Sequence, residues 1–254
     1  MSAPSRRFAG DTSLEVSAHA AVPKPTPFEV RQPKSATPFA RWKSRAIREV
    51  AAALPRSLLV TRGTSPPGRR CVALTFDDGP DEMSRAYLDV LDALAVRATF
   101  FLIGENAVQK PDAVLDYVKR GHEVAGHGYT HEPFPSMGAA VLVDELTRAA
   151  DLLPPSISSR PLVRPPLGRM SASSIVRVAA AGFTTVLWSL DSDDCRTRDP
   201  RTVEARVSPQ HVSPGEIILM HEMQPWTLDA LPRVVHNLRE AGFELATVSE
   251  LLGC

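Results

Sequence analysis

The 254-residue chain reads as an α/β protein, a distorted or incomplete (β/α) barrel of about seven units. Three observations lead there. From Arg69 onward, short apolar runs alternate with segments of helical periodicity, the pattern of parallel β/α units. Seven such units occupy about 185 residues, whereas a closed eight-fold barrel needs roughly 250. Polar, chemistry-bearing residues also recur where strands are expected to end, which is where parallel β/α folds build their sites. An open doubly wound sheet is the alternative arrangement.

The first 68 residues stand apart. They hold 11 Lys and Arg against 4 Asp and Glu, leaving 18 and 25 for the remainder, so a basic arm precedes an acidic body within a formally neutral chain. Nine prolines fall in this arm, and Pro23, Pro25, Pro27, Pro33 and Pro38 are too close together for a helix. The arm is expected to be disordered or loosely draped to about residue 40. One candidate helix follows over Arg41–Leu54, where Trp42, Ala46, Ile47, Val50, Ala53 and Leu54 repeat at helical spacing before Pro55. A solvated tail is the plainer reading of the arm's charge, and weak contact with an anionic surface is the other. Nothing calls for a nucleic-acid partner.

The body, residues 69–254, is expected to be one catalytic-sized domain, and the chain's 43% apolar content allows a substantial core. No run of 18 apolar residues could span a bilayer, and the N-terminus lacks the basic-then-apolar pattern of a secretory signal. The default expectation is therefore cytoplasmic, with non-classical export or envelope association left open. Cys71, Cys195 and Cys254 are too few and too scattered for a disulfide framework or a paired thiolate site.

Strands are expected near 72–76, 98–102, 123–126, 162–164, 184–190, 216–220 and 244–247. Helices are expected near 84–95, 109–120, 138–152, 171–181, 200–207, 227–241 and 248–252. Val72–Phe76 is β-branched and aromatic, and Gly79-Pro80 must end it. Between them, Asp77 and Asp78 would face opposite ways in a strand, so they share a site only if the backbone bends there. Taken alone, Asp-Asp-Gly-Pro is an ordinary turn. Five strand ends carry such residues, however: Asp77-Asp78, Gly126–His131, Arg164–Gly168, Asp191–Asp194 and Leu219–His221. His127 and His131 lie four apart, yet Gly126, Gly128, Pro133 and Pro135 argue for a loop rather than a helix. Two imidazoles and a neighbouring carboxylate would give a metal three ligands and open positions, as in a catalytic zinc site. By itself the histidine pair reads as a surface accident. His19, His122, His211 and His236 receive no role.

Thr75-Phe76-Asp77-Asp78-Gly79-Pro80, His127-x-x-x-His131, Arg164-Pro165-Pro166-x-Gly168, Asp194 and Leu219-x-His221 resemble, in order, the five motifs of the NodB-homology polysaccharide deacetylases, carbohydrate esterase family four. The resemblance covers about residues 70–252, includes Ala98–Phe101 and Thr247–Leu252, and implies a distorted (β/α) barrel. It implies metal-assisted hydrolysis of an N-acetyl group on a glycan. Asp78, His127 and His131 would hold a divalent metal, zinc first and cobalt or nickel as substitutes. Asp77 would be the general base, oriented by Arg164. His221 would be the general acid, its pKa raised by Asp194. The backbone N–H of Leu167 would help stabilise the oxyanion. Pro166, Leu167, Leu219 and Trp188 would line the substrate groove, Leu219 beside the acetyl methyl.

Three positions depart from the family pattern. Gly128 replaces a Ser or Thr that can steady the ligand loop, Leu167 replaces a Tyr, and Cys195 replaces a Trp that walls the groove. Trp188 compensates only if it points inward, and is otherwise core. Asp191 and Asp193 compete with Asp194 for the place beside His221. Two further readings remain. A superfamily relative would hydrolyse another linear C–N amide or a carbohydrate ester, and an inactive module would only bind glycan.

Overall fold

Cys71–Asp77 is buried along its whole length, as a strand flanked on both sides must be. The computed structural model describes residues 54–65, 67–154 and 160–253. The helix expected over Arg41–Leu54 lies outside them, except for Leu54. In chain order the strands are β1 (Leu59–Val60), β2 (Cys71–Asp77), β3 (Thr99–Leu102), β4 (Glu123–Gly126), β5 (Leu162–Val163), β6 (Thr184–Val186), β7 (Leu190–Asp191), β8 (Ile217–His221) and β9 (Glu244–Ala246). The helices are α1 (Ser84–Ala93), α2 (Gly104–Gln109), α3 (Pro111–Lys119), α4 (Ala139–Ala150), α5 (Ala172–Ala180), α6 (Asp194–Thr197), α7 (Pro200–Arg206), α8 (Pro225–Glu240) and α9 (Val248–Gly253).

The strands form one sheet in the order β1-β6-β5-β4-β3-β2-β8-β7, with β9 on β2 and every pairing parallel. The single strand expected over 184–190 is broken into β6 and β7. The first half pairs with β5 and the second with β8, so one short segment reaches both ends of the sheet and curls it into a barrel. Leu187–Ser189 links the two halves.

The segment after Pro55 fills that break. Leu59 and Val60 pair with Thr185 and Val186, Val60 O accepts from the Leu187 N–H at 2.8 Å, and the Gly63 N–H reaches Gly215 O at 2.8 Å. A boundary at residue 69 is therefore too late. Two residues are too few for a period-2 signal, and their proline-rich, basic surroundings conceal them. The helix expected over 109–120 is α3, which Pro111 opens at its N-terminal position, and a short helix that was not expected, α2, precedes it.

Side chains sort by alternation. Val72, Leu74 and Phe76 join the large cluster under the helices, while Cys71 and Ala73 face inward with Phe101, Ala125, Ile217 and Val248. By the same period, Thr75 and Asp77 point into the barrel, Asp77 at its rim. A chain beginning at Ser65 lacks Leu59 and Val60, each only 2% exposed. It is expected to be about 3 kcal/mol or more less stable than one beginning at Leu54, read as the difference in urea midpoint.

Candidate active site

Asp77 is the last residue of β2, and Asp78 follows in the left-handed region at φ 75°. That turn, which aspartate tolerates better than most residues, brings both carboxylates to one side despite the pleat. Arg164, with no exposed surface, donates to Asp77 Oδ1 at 2.6 Å and to the Thr75 hydroxyl at 2.8 Å. Its guanidinium lies 3.9 Å from the centre of the Phe101 ring. Burial pulls the Arg164 pKa down and Asp77 opposes this, but an arginine stays protonated.

Asp78 Oδ1 lies 3.4 Å from His127 Nε2 and 3.2 Å from His131 Nε2, and one donor atom from each residue falls within 4.8 Å of the others. His127 Nδ1 is 2.9 Å from the Arg164 carbonyl. A carbonyl only accepts, so Nδ1 carries a hydrogen and leaves Nε2, which faces Asp78, as the ring atom that could bind a cation. Burial pushes the Asp78 carboxyl up, but hydrogen bonds from His127 and His131 outweigh it and hold it well below the ordinary value. His131 and Asp78 stay 30% and 29% exposed, so the set is open on one side. One carboxylate oxygen and two imidazole nitrogens fit a divalent cation with free positions for substrate. Asp77 stands beside this set, its Oδ2 3.7 Å from His127 Nε2.

Across the parallel ladder, His221 is the register partner of Asp77. His221 Nδ1 meets Asp194 Oδ1 at 2.8 Å, and Asp194 Oδ2 accepts from the His221 N–H at 2.8 Å and from Thr227 at 2.9 Å. Burial lowers the His221 pKa, but the bonds to Asp194 and Cys195 prevail and raise it well above an ordinary imidazole. Asp194 is correspondingly lowered: burial raises it, and the His221 bond more than reverses that. The competition among three aspartates resolves here. Asp193 pairs with Arg196 and Arg206, and Asp191 Oδ1 accepts from the Asp193 N–H.

A family model described as polysaccharide deacetylase matches residues 64–186. A peptidoglycan-N-acetylglucosamine deacetylase of Bacillus cereus is 33% identical over 192 residues, covering 72% of this chain and 70% of that protein. The chain belongs to the polysaccharide deacetylase family. The peptidoglycan-N-acetylmuramic acid deacetylase PdaC of Bacillus subtilis is 30% identical over 74% of this chain, which spans only 40% of that protein's length. The crystal structure of the Bc1960 peptidoglycan N-acetylglucosamine deacetylase superposes with TM-score 0.71 at 27% identity, covering 77% of this chain and 93% of that one. A carbohydrate esterase family four pseudoenzyme from Bacillus anthracis does so with TM-score 0.70 at 25% identity over 79% and 70%. The barrel expected from the sequence is thus the fold of the family, which is generally metal-dependent.

The remaining expected residues of this polysaccharide deacetylase chain also gather at the strand ends. Pro166 is buried against the histidine loop, where a Cβ on Gly128 would approach its Cγ to 3.3 Å. Leu167 is 62% exposed at the rim, with φ 58°. Leu219 is buried two residues before His221 and so shares its face of β8. Trp188 is half-buried, packs on two core clusters and presses its ring against Gly168, where no Cβ would fit. Its role is chiefly packing. Cys195 is exposed beside His221, with the Gln224 amide 3.8 Å from its sulfur. His122 is a core residue stacked edge-on to Phe100, its pKa lowered to about 4 mainly by burial.

Glu145 and Glu222 are buried acids beside the site that the motif pattern does not single out. Glu145 on α4 bonds the histidine loop. Glu222 follows His221 and has no exposed surface; its carboxyl oxygens lie 2.8 and 2.9 Å from the Tyr117 hydroxyl, and it packs so closely on Gly79 that no Cβ would fit there. Burial first, then the charge of Asp81, pushes Glu222 up to about 8. The folded protein then holds this proton while the unfolded chain releases it from about pH 4.5 upward, so stability falls as pH rises through that window. Its steepest slope is about 1.4 kcal/mol per pH unit. In the metal-free protein, Glu222→Gln should flatten the decline in melting temperature between pH 5 and pH 8. Parallel curves for variant and parent would contradict the protonated assignment.

Proposed function

We propose that this chain is a zinc-dependent deacetylase that removes N-acetyl groups from an amino-sugar glycan of peptidoglycan or chitooligosaccharide type, releasing acetate. One observation carries the reading: Asp77, tied to a buried arginine, and His221, tied to a buried aspartate, are register partners on adjacent strands beside a three-donor cation site. Asp78, His127 and His131 would hold the cation, which when bound supplies Lewis acidity toward a water molecule and an amide carbonyl.

The chain's own groups supply the proton traffic. Asp77, fixed by Arg164 and left out of the donor set, accepts a proton from the attacking water as the C–O bond forms. His221 holds the second proton through Asp194 and passes it to the amide nitrogen as the C–N bond breaks, so that an amine leaves rather than its anion. The Leu167 N–H serves the oxyanion, and Leu219, on the face of His221, receives the acetyl methyl. Family membership and the names of the relatives support the glycan substrate. An inactive binding module would have lost a ligand, the base or the acid, and this chain keeps all of them.

An acetate-release assay on peptidoglycan, chitooligosaccharide and acetylxylan, with and without chelator, tests the reading directly. His127→Ala and Asp78→Ala should bind far less than one zinc per chain and show no turnover; stoichiometric zinc in both would refute the ligand set. Asp77→Asn should keep zinc and lose about a hundred- to ten-thousand-fold in kcat. Because the His221 pKa is raised, the protonated acid persists above the ordinary imidazole range. Asp194→Asn should bring the alkaline limb of kcat/KM down toward about pH 6.5. An unmoved limb would remove His221 from the proton transfer.

A further inference from the structure

Glu145 takes no part in the roles proposed above, yet its side chain is only 5% exposed and turned to the loop between two of the proposed ligands. Its Oε2 accepts from the N–H groups of Tyr129 and Thr130 at 2.9 and 3.0 Å, and its Oε1 from the Thr130 hydroxyl at 3.0 Å. All three donors lie between His127 and His131. One turn further along α4, the Arg148 guanidinium sits 3.7 Å over the Tyr129 ring, so the same helix grips the loop twice.

The loop needs holding. Gly128 and His131 both occupy the left-handed region, at φ 76° and 62°, a conformation uncommon for any residue with a side chain. Position 128 offers no hydroxyl of its own, and a Cβ placed there would stand 3.7 Å from Glu145 Oε2. The carboxylate therefore reaches the loop from the helix side. Two imidazoles on a free loop would have to be ordered each time a cation binds, whereas a loop already fixed by three charge-assisted hydrogen bonds presents them together.

We propose that Glu145 is a positioning residue for the cation site: it holds the His127–His131 loop in the shape that converges both imidazoles with Asp78. The inference rests on the ligand assignment above, and its test separates the two. Zinc affinity of the full chain is measured by chelator competition for the parent and for Glu145→Leu, Glu145→Gln and Thr130→Val.

Leucine keeps the volume and leaves three donors unmet, so Glu145→Leu should bind zinc about 10- to 100-fold more weakly. Glutamine can accept both N–H groups with its carbonyl oxygen and donate to the Thr130 hydroxyl, which turns to accept. Glu145→Gln should therefore stay within about threefold of the parent, a rescue that loss of a surface charge or of bulk would not produce. Unchanged zinc affinity in Glu145→Leu overturns the proposal. Should that variant fail to fold, Thr130→Val decides: about two- to fivefold weaker binding supports the clamp, and parent-like binding overturns it. A parent chain that binds no zinc removes the ligand assignment, and this inference with it.

Discussion

A guanidinium with no exposed surface is the constraint on which the barrel rim depends. Arg164 enters the interior at the end of β5, where Phe101 covers one face and Leu187 O, at 3.4 Å, is a distant partner. Its charge must be met there, and Asp77 and Thr75, two residues apart on the inward face of β2, meet it. Such a pair adds little net stability, since desolvation consumes most of its attraction, but removing one partner typically costs about 3–5 kcal/mol. What the pair does provide is a division of labour. Asp77 is held by the arginine through Oδ1, and in the proposed site the neighbouring Asp78, through its left-handed turn, would be the carboxylate that meets a cation.

Register carries this arrangement around the barrel. Gly126 pairs with Val163, so the residues that follow them, His127 and Arg164, emerge side by side, and the Arg164 carbonyl fixes the His127 ring. Asp77 pairs with His221 in the same way. In parallel strands, a slip of one residue would turn each side chain to the opposite face and bury a carboxylate among the helices. The site is thus specified by the same hydrogen bonds that specify the sheet. Glu222, lodged under Gly79 and bonded through its own N–H to Asp77 O at 3.0 Å, couples the end of β8 to the ligand turn.

Much of this was legible because a buried parallel strand is an apolar run, and its functional end is where that run stops at a polar residue. Asp77, His127, Arg164 and His221 all announce themselves so. What escaped did so for physical reasons. The two residues of β1 have no period to detect and gain their stability from a partner 126 positions away. The split between β6 and β7 follows from closure, which no local pattern encodes. Glu145 left a signal that went unused: with Leu142, Leu146 and Ala149 it lies on the buried stripe of α4, where an acid without a partner would be costly. Glu222 was overshadowed by the histidine beside it.

Three histidines at one rim are assigned opposite duties, and their chemistry alone cannot separate them. For two of them the atom opposite Nδ1 makes the distinction. At His127 that atom is a backbone carbonyl, which fixes the tautomer without a net charge and leaves Nε2 free to bind a cation. At His221 it is the carboxylate of Asp194, which cannot be neutral-paired so cheaply in a buried site and therefore holds a second proton on the ring. In the proposed mechanism, the placement of one carbonyl and one carboxylate would thus help to separate a ligand from an acid within a single barrel mouth.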